Sequence, residues 1–215
     1  MKVKEDGRVK VVLTLPSDAL FSAEEELAED VSLTDIELRL ATLVDVPALH
    51  ALIERSVRGL QTADYAPEQI DAALGTLLGV DTQLIRDGTY LVAQVNGQLA
   101  GCGGWSKRKT LFGSDGRSGR EDALLDPARD AAKIRAFFIE PAWARQSIGS
   151  AILAACERAA VQAGFRCFEM GATLTGVPLY LARGYRVLDR IEAPLPNGLS
   201  LPIVRMAKEA VKEVS

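Results

Sequence analysis

Histidine is almost missing from this sequence: His50 is the single one among 215 residues. A nucleophile relay built on imidazole therefore has one candidate, and no carboxylate or cysteine can be placed beside it from sequence. Cysteine is scarce as well. Cys102, Cys156 and Cys167 show none of the paired spacings of zinc or redox motifs, and each falls in apolar surroundings. Buried structural thiols, and no metal site, are the expectation. No apolar stretch is long enough to span a bilayer, and no N-terminal apolar run has signal-peptide form. A reducing cytoplasm is the expected location, with no membrane partner. Positive charge is also short: the formal net charge is −4, which argues against nucleic acid as a partner.

What is present is ordinary globular material. Apolar residues at 48% and charged residues at 25% supply a core for one large domain, or for a medium one with an extension. The charge is unevenly spread. Four basic residues face nine acidic ones between Met1 and Asp35, whereas the remainder holds 21 basic and 20 acidic. Val3, Val9, Val11 and Leu13 alternate around Glu5-Asp6-Gly7, which predicts a hairpin. Ser22 with Glu25 three residues on predicts a capped helix within Ser17 to Asp30. Residues 1–35 thus read as an acidic extension of hairpin and helix, 36–207 as the main domain, and 208–215 as a C-terminal tail.

In the main domain, Ile36 to Ala41 alternates as a half-buried strand. Asp45 is the expected cap of a helix with Pro47 in its first turn and an apolar stripe of Val46, Leu49, Leu52, Ile53 and Val57. A polar connection with Asp64 and Tyr65 leads to a second helix, predicted over Pro67 to Leu78. Thr89 to Val95 and Gln98 to Trp105 flank Asn96-Gly97, a strong hairpin signal. Gly101, Gly103 and Gly104 would weaken the second strand unless another group approaches it closely. Lys107 to Asp130 reads as a long loop over the sheet edge, mobile or acting as a substrate lid.

The chain is organised around Lys133 to Gly164. Ile134 to Ile139 is a compact apolar run ended by Pro141, a buried strand. Ile148, Ile152, Ala155, Cys156 and Ala159 repeat at helical spacing, and Gly164 is placed to end that helix. Ser147, Gly149 and Ser150 lie where the helix opens. A strand that feeds a small-residue loop and a helix start makes an anion site, because the first helical amides lack partners and the macrodipole favours negative charge. An ordinary turn capped by the Ser147 side chain is the plainer reading of the same residues.

This stretch resembles the acetyl-CoA signature of the GNAT superfamily of N-acetyltransferases: a strand, a Pro, a loop of the form Arg/Gln-x-x-Gly-x-Gly/Ala, and a helix. The matching residues are Ala144, Arg145, Gln146, Ser147, Ile148 and Gly149, with Ala144 and Ser147 departing from the pattern. Leu179-Tyr180-Leu-Ala-Arg-Gly184-Tyr185 is similar to the family's Tyr-x-x-x-Gly-Phe/Tyr segment. The resemblance extends over roughly Ile36 to Ala207. The resemblance implies an α/β GNAT fold, a mixed and mostly antiparallel sheet with splayed central strands flanked by helices. It also implies acetyl-CoA as cosubstrate and a primary amine of a small molecule or peptide as acceptor, in a bacterial-type cytoplasmic enzyme for which a homodimer is the candidate assembly.

Roles follow from the same resemblance. The backbone of Phe137, Phe138 and Ile139 would pair with the pantetheine arm, an amide near Ile139 would hold the developing oxyanion, and Thr173 is a further cofactor-binding candidate. Arg145, Gln146, Ser147, Ile148, Gly149 and Ser150 would hold the diphosphate. Tyr180 occupies the general-acid position, and Asp64 and Tyr65 fall where the acceptor groove is lined. Where a base glutamate often stands the chain has Lys133 and Arg135, leaving Glu140 and Glu169 as candidate bases. The competing reading is a non-catalytic acyl-CoA sensor or interaction module on the same fold.

Overall fold

The computed structural model describes residues 11–14 and 36–210. Asn96 and Gly97 both take positive φ, 51° and 74°, the turn geometry whose twist matches the strands it joins. Around them β3 (Tyr90–Val95) and β4 (Gln98–Ser106) pair antiparallel, as the Asn-Gly signal predicts. Beyond β3 come β2 (Ile36–Leu40), antiparallel to it, and β1 (Val11–Thr14), parallel to β2. The remaining N-terminal hairpin and helix expected from sequence lie outside the described residues. On the other side of β4 lie β5 (Ala132–Ile139) and β6 (Cys167–Thr173), then β8 (Ser200–Glu209), with β7 (Arg186–Pro194) outermost. The order is β1-β2-β3-β4-β5-β6-β8-β7. Among the described strands only β1–β2 and β5–β6 are parallel pairs, so the expected mixed, mostly antiparallel sheet is present.

Both faces are covered. The helix α1 (Val46–Leu60) buries Leu49, Leu52, Ile53 and Val57, the predicted stripe, against one face. On the other face α4 (Ile148–Gln162) buries Ile148, Ile152, Leu153 and Cys156 with Trp105, Phe165 and Phe168. Gly103 in β4 explains how α4 comes so close. A Cβ there would stand 2.7 Å from the Phe137 ring and 2.9 Å from Ile152. The short α5 (Val177–Ala182) follows β6.

Three local expectations are corrected. Asp45 does not cap α1 through its side chain. It closes a preceding 3-10 turn instead, accepting from the Thr42 amide at 2.7 Å, and it pairs with Arg39 Nη2 at 2.7 Å. The guanidinium on β2 outcompetes the helix amides for this carboxylate. The helix α2 (Pro67–Ala73) stops well short of Leu78 because Leu74 turns extended, with ψ 133°. A further helix, α3 (Thr82–Arg86), was not expected. Asp81 caps it by accepting from the Gln83 amide at 3.1 Å.

The 107–130 loop is pinned to the protein. It folds back on itself through Lys109 N–Ala123 O and Leu125 N–Lys107 O bonds. Ser114 Oγ then donates to the carbonyls of Gly75 and Thr76, and the Asp115 amide to Val80 O, which ties the loop across the α2–α3 connection.

Candidate active site

The strands β5 and β6 pair only at Ala132–Phe168 and Lys133–Glu169, although β5 continues to Ile139 and β6 to Thr173. Beyond those two rungs they part into the expected splay. A bulge starts the opening: Ala136 and Phe137 together oppose Gly103, and Ala136 sits at φ 55°. A non-glycine residue in that region is strained by about 1–3 kcal/mol, and such strain gathers at functional sites. Tyr90 holds it, donating from its buried hydroxyl to Ala136 O at 3.1 Å. Sequence reasoning missed this bulge, since nothing about Ala136 signals positive φ.

The cleft so opened has a volume of about 70 Å³. Its walls are Ala136, Phe137 and Phe138 on β5, Gly171 to Thr173 on β6, Leu201 and Ile203 on β8, and Leu77 to Gly79 with Leu111 to Gly113 at one mouth. Tyr180 stands at the cleft with its ring edge-on to Phe137, centroids 6.2 Å apart, and to Tyr185 at 5.9 Å. Burial pushes its phenol well above the ordinary value, so it is protonated throughout the neutral range.

The backbone from β5 turns through Pro141–Trp143 into the loop that opens α4. Arg145 (φ 65°) and Ser147 (φ 59°) are both left-handed, a conformation that turns successive amides to one side and forms an anion-binding concavity. The left-handed turn also aims the Ser147 hydroxyl away from the helix: it makes no capping bond. The plainer reading of Ser147 as a cap is thereby set aside. No hydrogen bond among the described residues claims the amides of Ile148, Gly149 or Ser150. Ile148 itself is core, so only its backbone faces the loop. Gln146 Nε2 donates to Ala142 O at 3.3 Å, and Ser150 Oγ accepts from Arg183 Nε at 3.1 Å, so α5 is tied to the start of α4.

The other predicted site residues are placed elsewhere. Glu140 pairs with Arg55 at 2.8 Å on α1, and Glu169 is held by Lys133 and faces Arg205. Neither lines the cleft, because a cation has claimed each carboxylate. Tyr65 is buried. Its hydroxyl accepts from the Leu174 amide and donates to Pro202 O, both at 2.8 Å, and burial raises its pKa to about 12. Asp64 accepts from Thr175 Oγ1. This pair thus buttresses the end of β6 from outside the cleft. The Ile139 amide also has an occupant: it donates to Ser56 Oγ at 3.1 Å, so the expected oxyanion donor is engaged with α1. Thr173, Phe137 and Phe138 do line the cleft.

Among the described residues no helix is long and apolar enough to cross a membrane. No curated protein sequence matches the chain. Among solved structures, a GCN5-related N-acetyltransferase from Rhodopseudomonas palustris superposes with a TM-score of 0.61 at 20% identity, covering 84% of this chain and 98% of that one. PaiA N-acetyltransferase from Thermoplasma acidophilum, solved with coenzyme A, gives 0.57 at 14% identity over 81% and 99%. YncA, a putative acetyltransferase from Salmonella typhimurium solved with acetyl-CoA, gives 0.55 at 17% over 86% and 98%. Likeness at such identities is likeness of fold. The model of the acetyltransferase (GNAT) family matches residues 49–185, from within α1 through α5, and the chain belongs to that family.

Proposed function

We propose that the protein transfers the acetyl group of acetyl-CoA to a primary amine of a small molecule or peptide. The observation that carries this reading is the unclaimed set of amides at the start of α4, beneath a doubly left-handed loop that leads directly from the splayed strand. Those amides suit a diphosphate, since they offer donors, a favourable dipole and little side-chain bulk. The open edges of β5 and β6 suit an extended pantetheine arm. In the transfer the amine nitrogen bonds to the thioester carbonyl carbon, the carbon–sulfur bond breaks, and the departing thiolate takes a proton. Tyr180, protonated and at the cleft wall, is the donor, and the phenolate so formed regains its proton from water. No carboxylate lines the cleft among the described residues. The proton lost by the amine therefore leaves to water.

Thermal shift with acetyl-CoA and with CoA, followed by thiol release over an amine panel, tests the reading. Both ligands should stabilise the protein, and at least one amine should be acetylated. Gly149→Glu should abolish the shift: a Cβ at Gly149 already stands 3.1 Å from Leu179 Cδ2, and the added carboxylate would repel the diphosphate. Normal binding by that variant would place the diphosphate elsewhere. Stabilisation with no turnover across a broad panel would instead favour the non-catalytic acyl-CoA sensor.

A further inference from the structure

On β5 the cleft is lined by Arg135, whose side chain is 2% exposed. Among the described residues that line the cleft, it is the one with a charged side chain. Its Nη2 donates to Gly113 O at 2.6 Å and lies 2.7 Å from Asp81 Oδ2, but that oxygen is out of line for a hydrogen bond. The Nε–H of Arg135 is buried and has no partner. Asp81, fully buried, is shared: its Oδ1 accepts from Arg120 at 2.9 Å as well as capping α3. Arg120 faces Asp115 at 3.5 Å and Asp122 at 3.9 Å on its solvent side. Arg117 lies over the Phe112 ring at 4.0 Å and donates to Phe112 O. Two guanidiniums, those of Arg135 and Arg120, thus share one buried carboxylate. Burial lowers the pKa of Arg135 to about 10, which leaves it charged at neutral pH.

A buried cation with an idle donor is costly unless an anion completes it. The walls near it are apolar: Leu77, Leu78, Leu111, Phe112, Leu201 and Ile203. We propose that Arg135 receives the carboxylate of the acceptor, so that the substrate is an amine bearing a carboxylate and an apolar side chain, an α-amino acid in its simplest form. The proposal rests on the transferase reading above and narrows its acceptor. Polyamines and amino sugars, which carry no carboxylate, would leave the Arg135 donor idle and set a cation beside it.

The test uses matched trios on the unaltered protein: leucine, leucinamide and 3-methylbutylamine, and phenylalanine, phenylalaninamide and phenethylamine. Thiol release from acetyl-CoA and thermal shift in the presence of CoA are read for each. A charge-assisted bond to a buried ion corresponds to about ten- to a hundredfold. Each acid should therefore exceed its amide and its decarboxylated amine by at least about tenfold in kcat/KM, and only the acids should add to the CoA-induced shift. Arg135→Lys, which keeps the charge and loses the Nε donor, should cut the acid-over-amide ratio to a few-fold while the CoA shift persists. Equal or better turnover of the amides or amines would overturn the carboxylate site and leave the transferase standing. A carboxylate-dependent shift without turnover would uphold the site and refute the transferase. Neither turnover nor a carboxylate-dependent shift would overturn both.

Discussion

Tyr180→Phe separates chemistry from packing at one atom. The ring contacts with Phe137 and Tyr185 survive the change, because both are made by ring edges and faces. Among the described residues the Tyr180 hydroxyl makes no hydrogen bond that the change would sacrifice, so the melting temperature should move by no more than about 2 °C, the equivalent of under ~1 kcal/mol in a domain of this size. The kinetic effect should be larger. General acid catalysis contributes about 10²- to 10⁴-fold, and a thiolate whose conjugate acid has a pKa near 8.5 needs the least help. The low end therefore applies: kcat should fall about a hundredfold, ~2.7 kcal/mol of barrier, while the Kd for acetyl-CoA stays within about twofold. Because burial holds the phenol protonated well above pH 10, the unaltered enzyme should show no alkaline loss of kcat from this group below about pH 9. Stopped-flow thiol release at saturating acetyl-CoA, with calorimetry for binding, reads both quantities. A kcat unchanged within twofold would make Tyr180 a core residue and refute its role as proton donor.

Other expectations concern the scaffold. Ser56→Ala leaves the part-buried Ile139 amide without its acceptor; a loss of about 1 kcal/mol should appear as a drop of about 2–4 °C in melting temperature. Arg39, hydrogen-bonded to Asp45, holds that carboxyl down at about 2 against an ordinary 3.8. The depressed value means that Asp45 stabilises the fold above about pH 4 and that this contribution fades as pH falls toward 2. Asp45→Asn should cost on the order of 1–2 kcal/mol at pH 7 and flatten the acid limb of a urea-stability profile between those pH values. Cys102, raised to about 12 by burial, and Cys156, raised further, should resist iodoacetamide at pH 8 in the native state. Mass spectrometry after native and denatured labelling would show it.

Much of this architecture was legible because its signals are local. Asn96-Gly97 has the positive φ values that set a hairpin's register, the α1 stripe lies at fixed spacing, and Pro141 with Ser147 to Ser150 marks where β5 gives way to α4. The missed features depend on distant partners or on backbone states that side-chain identity does not advertise. Ala136 is left-handed because Tyr90, 46 residues earlier, holds its carbonyl. Asp45 and Asp81 look alike as helix starts, yet Arg39 diverts the first, and the second caps α3 while also serving Arg135 and Arg120. Five residues are too few for α3 to show a period. Glu140 and Glu169 read as candidate bases until the fold supplies Arg55 and Lys133 as their partners.

A crystal structure with acetyl-CoA tests the central claim most directly. The diphosphate should rest on the amides of Gln146 to Ser150, and the thioester should lie between β5 and β6 near the Ala136 bulge, with the Tyr180 hydroxyl within hydrogen-bond reach of the sulfur. A ligand bound away from the start of α4, or a cleft that stays filled by its own side chains, would contradict the account.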